Sequence, residues 1–128
     1  MAFVENKHSS GKSREFLTAS STTIAKWDAL VFSSGYLTPA TASNTTNCPY
    51  VIADESVVTA SGEHKKILGL LVDPTMEFVA DTQVAAAQAQ AGVAYKFKSA
   101  GVVDNETTGG NITVVEILPW KKAIVKFY

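Results

Sequence analysis

A mainly β fold is predicted for this chain: a small β-sandwich or barrel-like domain with one short helix at about residues 81–91. Three observations predict it. From Phe16 onward, short apolar runs are broken by Ser, Thr and Gly clusters, the usual sign of strands joined by tight turns. Period-two alternation recurs, in Val93, Tyr95 and Phe97 against Ala94, Lys96 and Lys98, and again in Ala123, Val125 and Phe127 against Lys122, Ile124, Lys126 and Tyr128, as in a half-buried strand. One Ala/Gln stretch has helical character. Asp81 and Thr82 suit a helix N-terminus, Val84, Ala87 and Ala91 are spaced along one helical face, and Gly92 suits the left-handed position where a helix ends.

The elements follow in order. Met1 to about Glu15 is polar apart from Phe3 and Val4, and Ser9, Ser10, Gly11 and Ser13 give it the composition of a linker. Residues 1–15 are therefore expected to be a flexible N-terminal arm, and residues 16–128 a single β-rich domain. The arm has an apolar tip, Phe3 and Val4, and basic residues Lys7, Lys12 and Arg14. These five are the candidate contacts to a neighbouring subunit, since such a segment is suited to ordering when it binds. Deleting residues 2–13 is expected to leave thermal stability nearly unchanged.

Trp27, Ala29 and Val31 alternate with Asp28, Leu30 and Phe32, Ser33-Ser34-Gly35 offers a turn, and Tyr36-Leu37 resumes, which reads as a hairpin. Thr38 to Pro49 lacks apolar periodicity and is expected to be an exposed loop. Tyr50-Val51-Ile52-Ala53 is a short strand. His64 to Val72 is a continuous apolar strand, expected to be covered on both faces, with Gly69 where something packs closely. Asp73-Pro74 ends it. Asp104 to Gly110 reads as an acidic turn, and Asn111–Leu118 and Lys121–Tyr128 are the closing strands.

At 128 residues, the chain is long enough to bury about two-thirds of its unfolded surface without disulfides or a metal. A composition 46% hydrophobic and 18% charged, with net charge -1, argues against disorder and gives no footprint for nucleic acid. The single Cys48 has no internal disulfide partner. The N-terminal segment lacks the apolar core of a signal peptide, and no apolar run approaches the ~20 residues of a membrane span, so the expected compartment is the cytosol.

Catalytic chemistry has few carriers. The histidines are His8, in the arm, and His64, beside Lys65 and Lys66. A nucleophile elbow and a phosphate-cradling Gly-x-x-x-x-Gly-Lys are both missing. Asp54-Glu55 and Asp104-x-Glu106 are isolated pairs rather than a ligand set. The expectation is a non-enzymatic protein without metal or cofactor.

Three stretches carry a resemblance. Ala25-Lys26-Trp27-Asp28-Ala29-Leu30-Val31, through Ser34-Gly35 to Leu37-Thr38-Pro39-Ala40, forms a strand, a Gly turn and a second strand ending in Pro-Ala. Ile67-Leu68-Gly69-Leu70-Leu71-Val72 is an apolar strand with an early glycine, and Ala89-Gln90-Ala91-Gly92-Val93-Ala94-Tyr95 leads into a strand, a turn and a closing strand near Lys126-Phe127. Over about residues 16–128 the chain resembles the decoration, or cement, proteins of tailed-bacteriophage heads. Phe97-Lys98 departs from the Asp-Leu type of pair expected there. The resemblance implies a compact β-rich homotrimer, made in the host cytoplasm, that docks on the virion exterior, staples neighbouring major capsid subunits and resists internal pressure. It implies no catalytic residues, and its partners would be the major capsid protein and itself, with no nucleic acid and no membrane. The alternative is a small β-sandwich module binding carbohydrate or a host surface, with Trp27, Tyr36, Tyr50 and Trp120 as stacking residues. That reading requires these aromatics exposed together on one face.

Overall fold

Tyr50–Ala53 is buried on both faces, and two hydrophobic clusters meet along it: Tyr50 and Ile52 belong to one, Val51 and Ala53 to the other. A strand covered on both sides is written as a continuous apolar run, as this one is. The computed structural model describes residues 3–5, 13–45 and 50–127. Within them the strands are β1 (Val4–Glu5), β2 (Ser13–Leu17), β3 (Thr23–Ile24), β4 (Ala29–Ser33), β5 (Tyr36–Pro39), β6 (Tyr50–Ala53) and β7 (Val57–Val58). They continue with β8 (Lys66–Leu71), β9 (Phe78–Thr82), β10 (Ala94–Ser99), β11 (Val102–Thr108), β12 (Ile112–Leu118) and β13 (Lys122–Phe127).

The chain is mainly β and barrel-like. In the six-stranded sheet, ordered β1-β9-β11-β10-β12-β13, β9 also pairs with β13, so five of the strands close on themselves. Closure removes the exposed edges that make open sheets prone to association. The β9–β11 pair is parallel, whereas the other pairs of the ring are antiparallel. The second sheet, β2-β8-β6-β4-β5, brings its two edges together through a bridge between Thr18 and Leu37. A β3–β7 ribbon accompanies it, and Ile24 of β3 and Val57 of β7 pack into the cluster of Leu30, Leu37, Val51, Ala53 and Ile67.

The larger cluster joins inward residues of the closed sheet to one face of the second. Phe127 is its aromatic hub, with ring centroids 5.0 Å from Phe3, 5.1 Å from Tyr50 and 5.4 Å from Phe78. The offset and edge-on geometries here are those aromatic pairs prefer. The Tyr50 hydroxyl donates to Asn111 Oδ1 at 3.0 Å, satisfying the polar end of a buried ring.

The alternating strands match their pattern on the inward face, although Ile124, expected on the opposite face of the last strand, is buried as well. Tyr95 and Phe97 point inward, as do Ala123, Val125 and Phe127. The hairpin also forms as expected, with β4 and β5 joined at Ser34-Gly35. In β8 the covered half is Gly69–Leu71, whereas Lys66 and Leu68 are exposed, so burial on both faces holds for only part of that strand. An added Cβ at Gly69 would lie 2.4 Å from Val51 Cγ1, which is the close packing its glycine implied. Asp104–Thr108 belongs to β11 instead of a turn.

The expected helix is a strand end and a loop. Asp81 and Thr82 close β9, where Asp81 is opposite both Val102 and Lys122 and bonds Lys122 Nζ at 2.6 Å. Starting a helix there would break pairing on both sides. Only Gln88–Gln90 is helical, as a single 3-10 turn. Gly92 does sit at a positive φ of 85°, the left-handed backbone expected of it, but it follows a single 3-10 turn and not the expected helix.

The two ends of the expected arm are also part of the sheets. Phe3 is fully buried, its N–H bonds the Trp27 carbonyl at 3.0 Å, and β1 pairs with β9. Ser13, Arg14 and Glu15 begin β2 and pair with Leu70, Gly69 and Leu68. A phenyl ring costs too much left in water when an aromatic pocket can receive it. The boundary of the folded region therefore does not fall at residue 16. Residues 6–12 lie outside the described residues.

Candidate functional site

The polar side chains mostly hold the backbone together. Asp54 accepts from the Ser13 hydroxyl at 3.2 Å and Glu55 from the Leu68 N–H at 2.7 Å, so this acidic pair pins β2 and β8. Asp104 accepts from the Glu106 N–H, and Glu106 from the Gln83 side-chain amide. The ring of His64 stacks on Tyr36 with centroids 4.0 Å apart, and its Nδ1 is 2.9 Å from the Thr18 carbonyl. Beside it Lys65 bridges to Glu63 at 3.8 Å. Asp73 is held below the ordinary carboxylate range, chiefly by the Thr75 hydroxyl and then by the Thr75 N–H. Hydrogen bonds to the ionised form favour it, and here they outweigh the opposing effect of desolvation. Among the described residues, no group of three or more His, Cys, Asp or Glu side chains could hold a metal.

The five expected contact residues are not brought together. Phe3 is a core residue, 5.0 Å from Phe127 and 5.8 Å from Phe97, and so is not a docking tip. Val4 pairs through its backbone with Val79 in the closed sheet. Arg14 is exposed on β2 in the other sheet, opposite Gly69. Lys7 and Lys12 lie outside the described residues.

What the surface offers instead is exposed apolar side chains on rigid elements: Leu17, Phe32, Val58, Leu68, Val115 and Trp120. On β2 and β8, Leu17 is opposite Lys66 and Glu15 opposite Leu68, so two leucines sit diagonally between two charges of opposite sign. Diagonal neighbours across an antiparallel pair are within reach of long side chains. Phe32, at the end of β4, meets the edge of Phe16 at 5.9 Å. Trp120 is the extreme case, 88% exposed in the three-residue connection between β12 and β13. An open groove of about 500 Å³ lies where the end of β5 meets the β10–β11 turn, lined by Asp28, Pro39, Ala40, Lys98, Ala100 and Gly101 among others.

The four aromatics considered for stacking are dispersed. Tyr50 is in the core, Trp27 is half-buried against it with Lys26 Nζ 4.9 Å from its ring centroid, and Tyr36 lies against His64. Sequence reasoning missed the Leu17–Leu68 patch and the groove. The alternation of Arg14, Phe16 against Glu15, Leu17 carried a signal for the first, whereas the groove is assembled from segments about sixty residues apart and had none. No family model, curated protein or solved structure matches this chain.

Proposed function

We propose that this chain is a structural virion protein that binds the outer surface of a phage capsid and staples neighbouring major capsid subunits. The observation that carries the reading is the set of exposed apolar side chains held on strands and hairpins, among which Leu17 and Leu68 sit between Glu15 and Lys66. Contacts of that kind suit a protein partner met repeatedly through symmetry, because avidity multiplies weak contacts without a deep pocket. The resemblance of the Ala25–Ala40, Ile67–Val72 and Ala89–Tyr95 stretches to head decoration proteins supports the same reading. Its partners are then the shell protein and sister copies, on the exterior of the virion. The closed five-stranded ring suits mechanical duty, since its strands, four antiparallel pairs and one parallel, leave few free edges.

The dispersal of Trp27, Tyr36, Tyr50 and Trp120 removes the single observation that the carbohydrate-module reading required. The test is to mix purified protein with heads lacking it and sediment the particles. Saturable retention is expected, weakened by Leu17→Ser with Leu68→Ser. No retention on heads from its own source at saturating concentration overturns the reading.

A further inference from the structure

We infer that Trp120 of one copy seats in the groove beside Asp28 and Lys98 of a second copy, making a head-to-tail contact between molecules of this chain. The hairpin tip contradicts two preferences at once. Trp120 and Lys121 both have left-handed backbones, with φ of 65° and 56°, where L-residues with long side chains are disfavoured. At the β4–β5 turn the same left-handed pair is Ser34 and Gly35, at 49° and 85°, residues suited to it. Trp120 is also 88% exposed, so a large ring is left in water at a strained position. Backbone strain that local stability does not explain is a pointer to function.

The tip is rigidly mounted. The Lys121 carbonyl accepts from the Thr82 N–H at 2.9 Å, and Lys122 next to it bridges to Asp81. The backbone that carries the indole is therefore held before any contact forms, so only the ring's own rotamers remain to be fixed.

The groove fits this occupant in size and charge. At about 500 Å³ it is within the range of sites that enclose a small aromatic body, and Pro39, Ala40, Ala100 and Gly101 leave its floor free of bulky side chains. Asp28 accepts from the Ala25 N–H through Oδ2, and its other oxygen offers the acceptor that a buried indole N–H needs. Lys98 supplies a cation for the indole face, while Asp28 is an acid for Lys121. Tip and groove lie on different flanks of β9: Gly101 precedes β11 on one side and Lys121 precedes β13 on the other. Tip and groove are separate patches, so a head-to-tail contact leaves one of each free at the ends of a pair, and such heterologous contacts close into rings or extend as filaments.

Sedimentation velocity over a concentration series, with no shell present, tests this independently of capsid binding. Wild-type protein is expected to associate, and Trp120→Ala to weaken association by at least about 30-fold, as for a central aromatic anchor. Trp120→Asn with Lys121→Gly is expected to raise the melting temperature and abolish association, which separates loss of contact from loss of fold. Ser99→Arg, at the exposed groove wall, is expected to be monomeric alone. Mixing Ser99→Arg with Trp120→Ala leaves one good tip and one good groove, so a one-to-one complex that grows no further is expected. Monomeric wild-type protein, wild-type association by Trp120→Ala, or no complex in the mixture each overturns the inference.

Discussion

Asn105 pairs with Val84 as if its side chain were a neighbouring strand: Oδ1 accepts from the Val84 N–H and Nδ2 donates to the Val84 carbonyl, both at 3.1 Å. Gln90 completes the arrangement, giving its amide N–H to the Asn105 carbonyl at 2.7 Å and accepting from Asn105 Nδ2 at 3.1 Å. A buried amide thus satisfies the backbone of a loop that has no sheet partner there. Asn105→Leu strips the Val84 N–H of its acceptor and takes one donor each from the Val84 carbonyl, which keeps the Thr82 hydroxyl, and from Gln90 Oε1, which keeps the Ala87 N–H, so a loss of about 1–3 kcal/mol is expected in chemical denaturation. Hydrogen exchange at residues 84–91 should speed up more than in β12 or β13. Unchanged stability would mean the loop is held by something else.

Phe3→Ala removes a fully buried ring packed on Phe97 and Phe127. The expected cost is about 3 kcal/mol or more, from lost transfer energy and the cavity left behind. Removing residues 2–5 should therefore lower the melting temperature, against the expectation of a dispensable arm. A melt unchanged by either alteration would return Phe3 to the surface.

Gly69→Ala drives a methyl group to within 2.4 Å of Val51 Cγ1 and 3.3 Å of Phe16. Overpacking of this kind costs about 1–3 kcal/mol. Combined with Val51→Ala, which makes room, the pair should cost less than the sum of the single changes by at least about 0.5 kcal/mol. Strict additivity in urea denaturation would show that the clash is relieved elsewhere.

Asp73 provides a pH signature. Its folded pKa is lowered, first by the Thr75 hydroxyl, so its contribution is present above the ordinary value of 3.8 and is lost as pH falls through the lower folded value. The group is largely solvated, so the effect is small, about 0.5 kcal/mol. Thr75→Val should be less stable than wild type at neutral pH, with the gap narrowing in acid. A gap that widens in acid has the wrong sign for this account.

Much of the fold was legible because strand patterning is local. Tyr95 and Phe97, and Ala123, Val125 and Phe127, face inward as their spacing demanded. The misread segments are those decided by distant partners. Asp81 and Thr82 suit a helix cap in isolation, but Lys122 and Val102 claim them for a sheet. Phe3 sits in a polar stretch, and its pocket is built from Phe97 and Phe127 near the other end of the chain. At the surface, Trp120 was visible as an aromatic, but its exposure was not. The available signal was a connection, Pro119-Trp120-Lys121, without the Gly or Asn that left-handed positions favour.

The most direct measurement is an electron-microscopy map of particles from the source of this chain, with and without added protein. The account predicts density for this β-rich domain on the outer surface, at junctions between shell subunits, repeated with the symmetry of the shell. It also predicts heads that burst less readily under osmotic shock when that density is present. Particles carrying no such density at saturating protein, with unaltered resistance to shock, would contradict it.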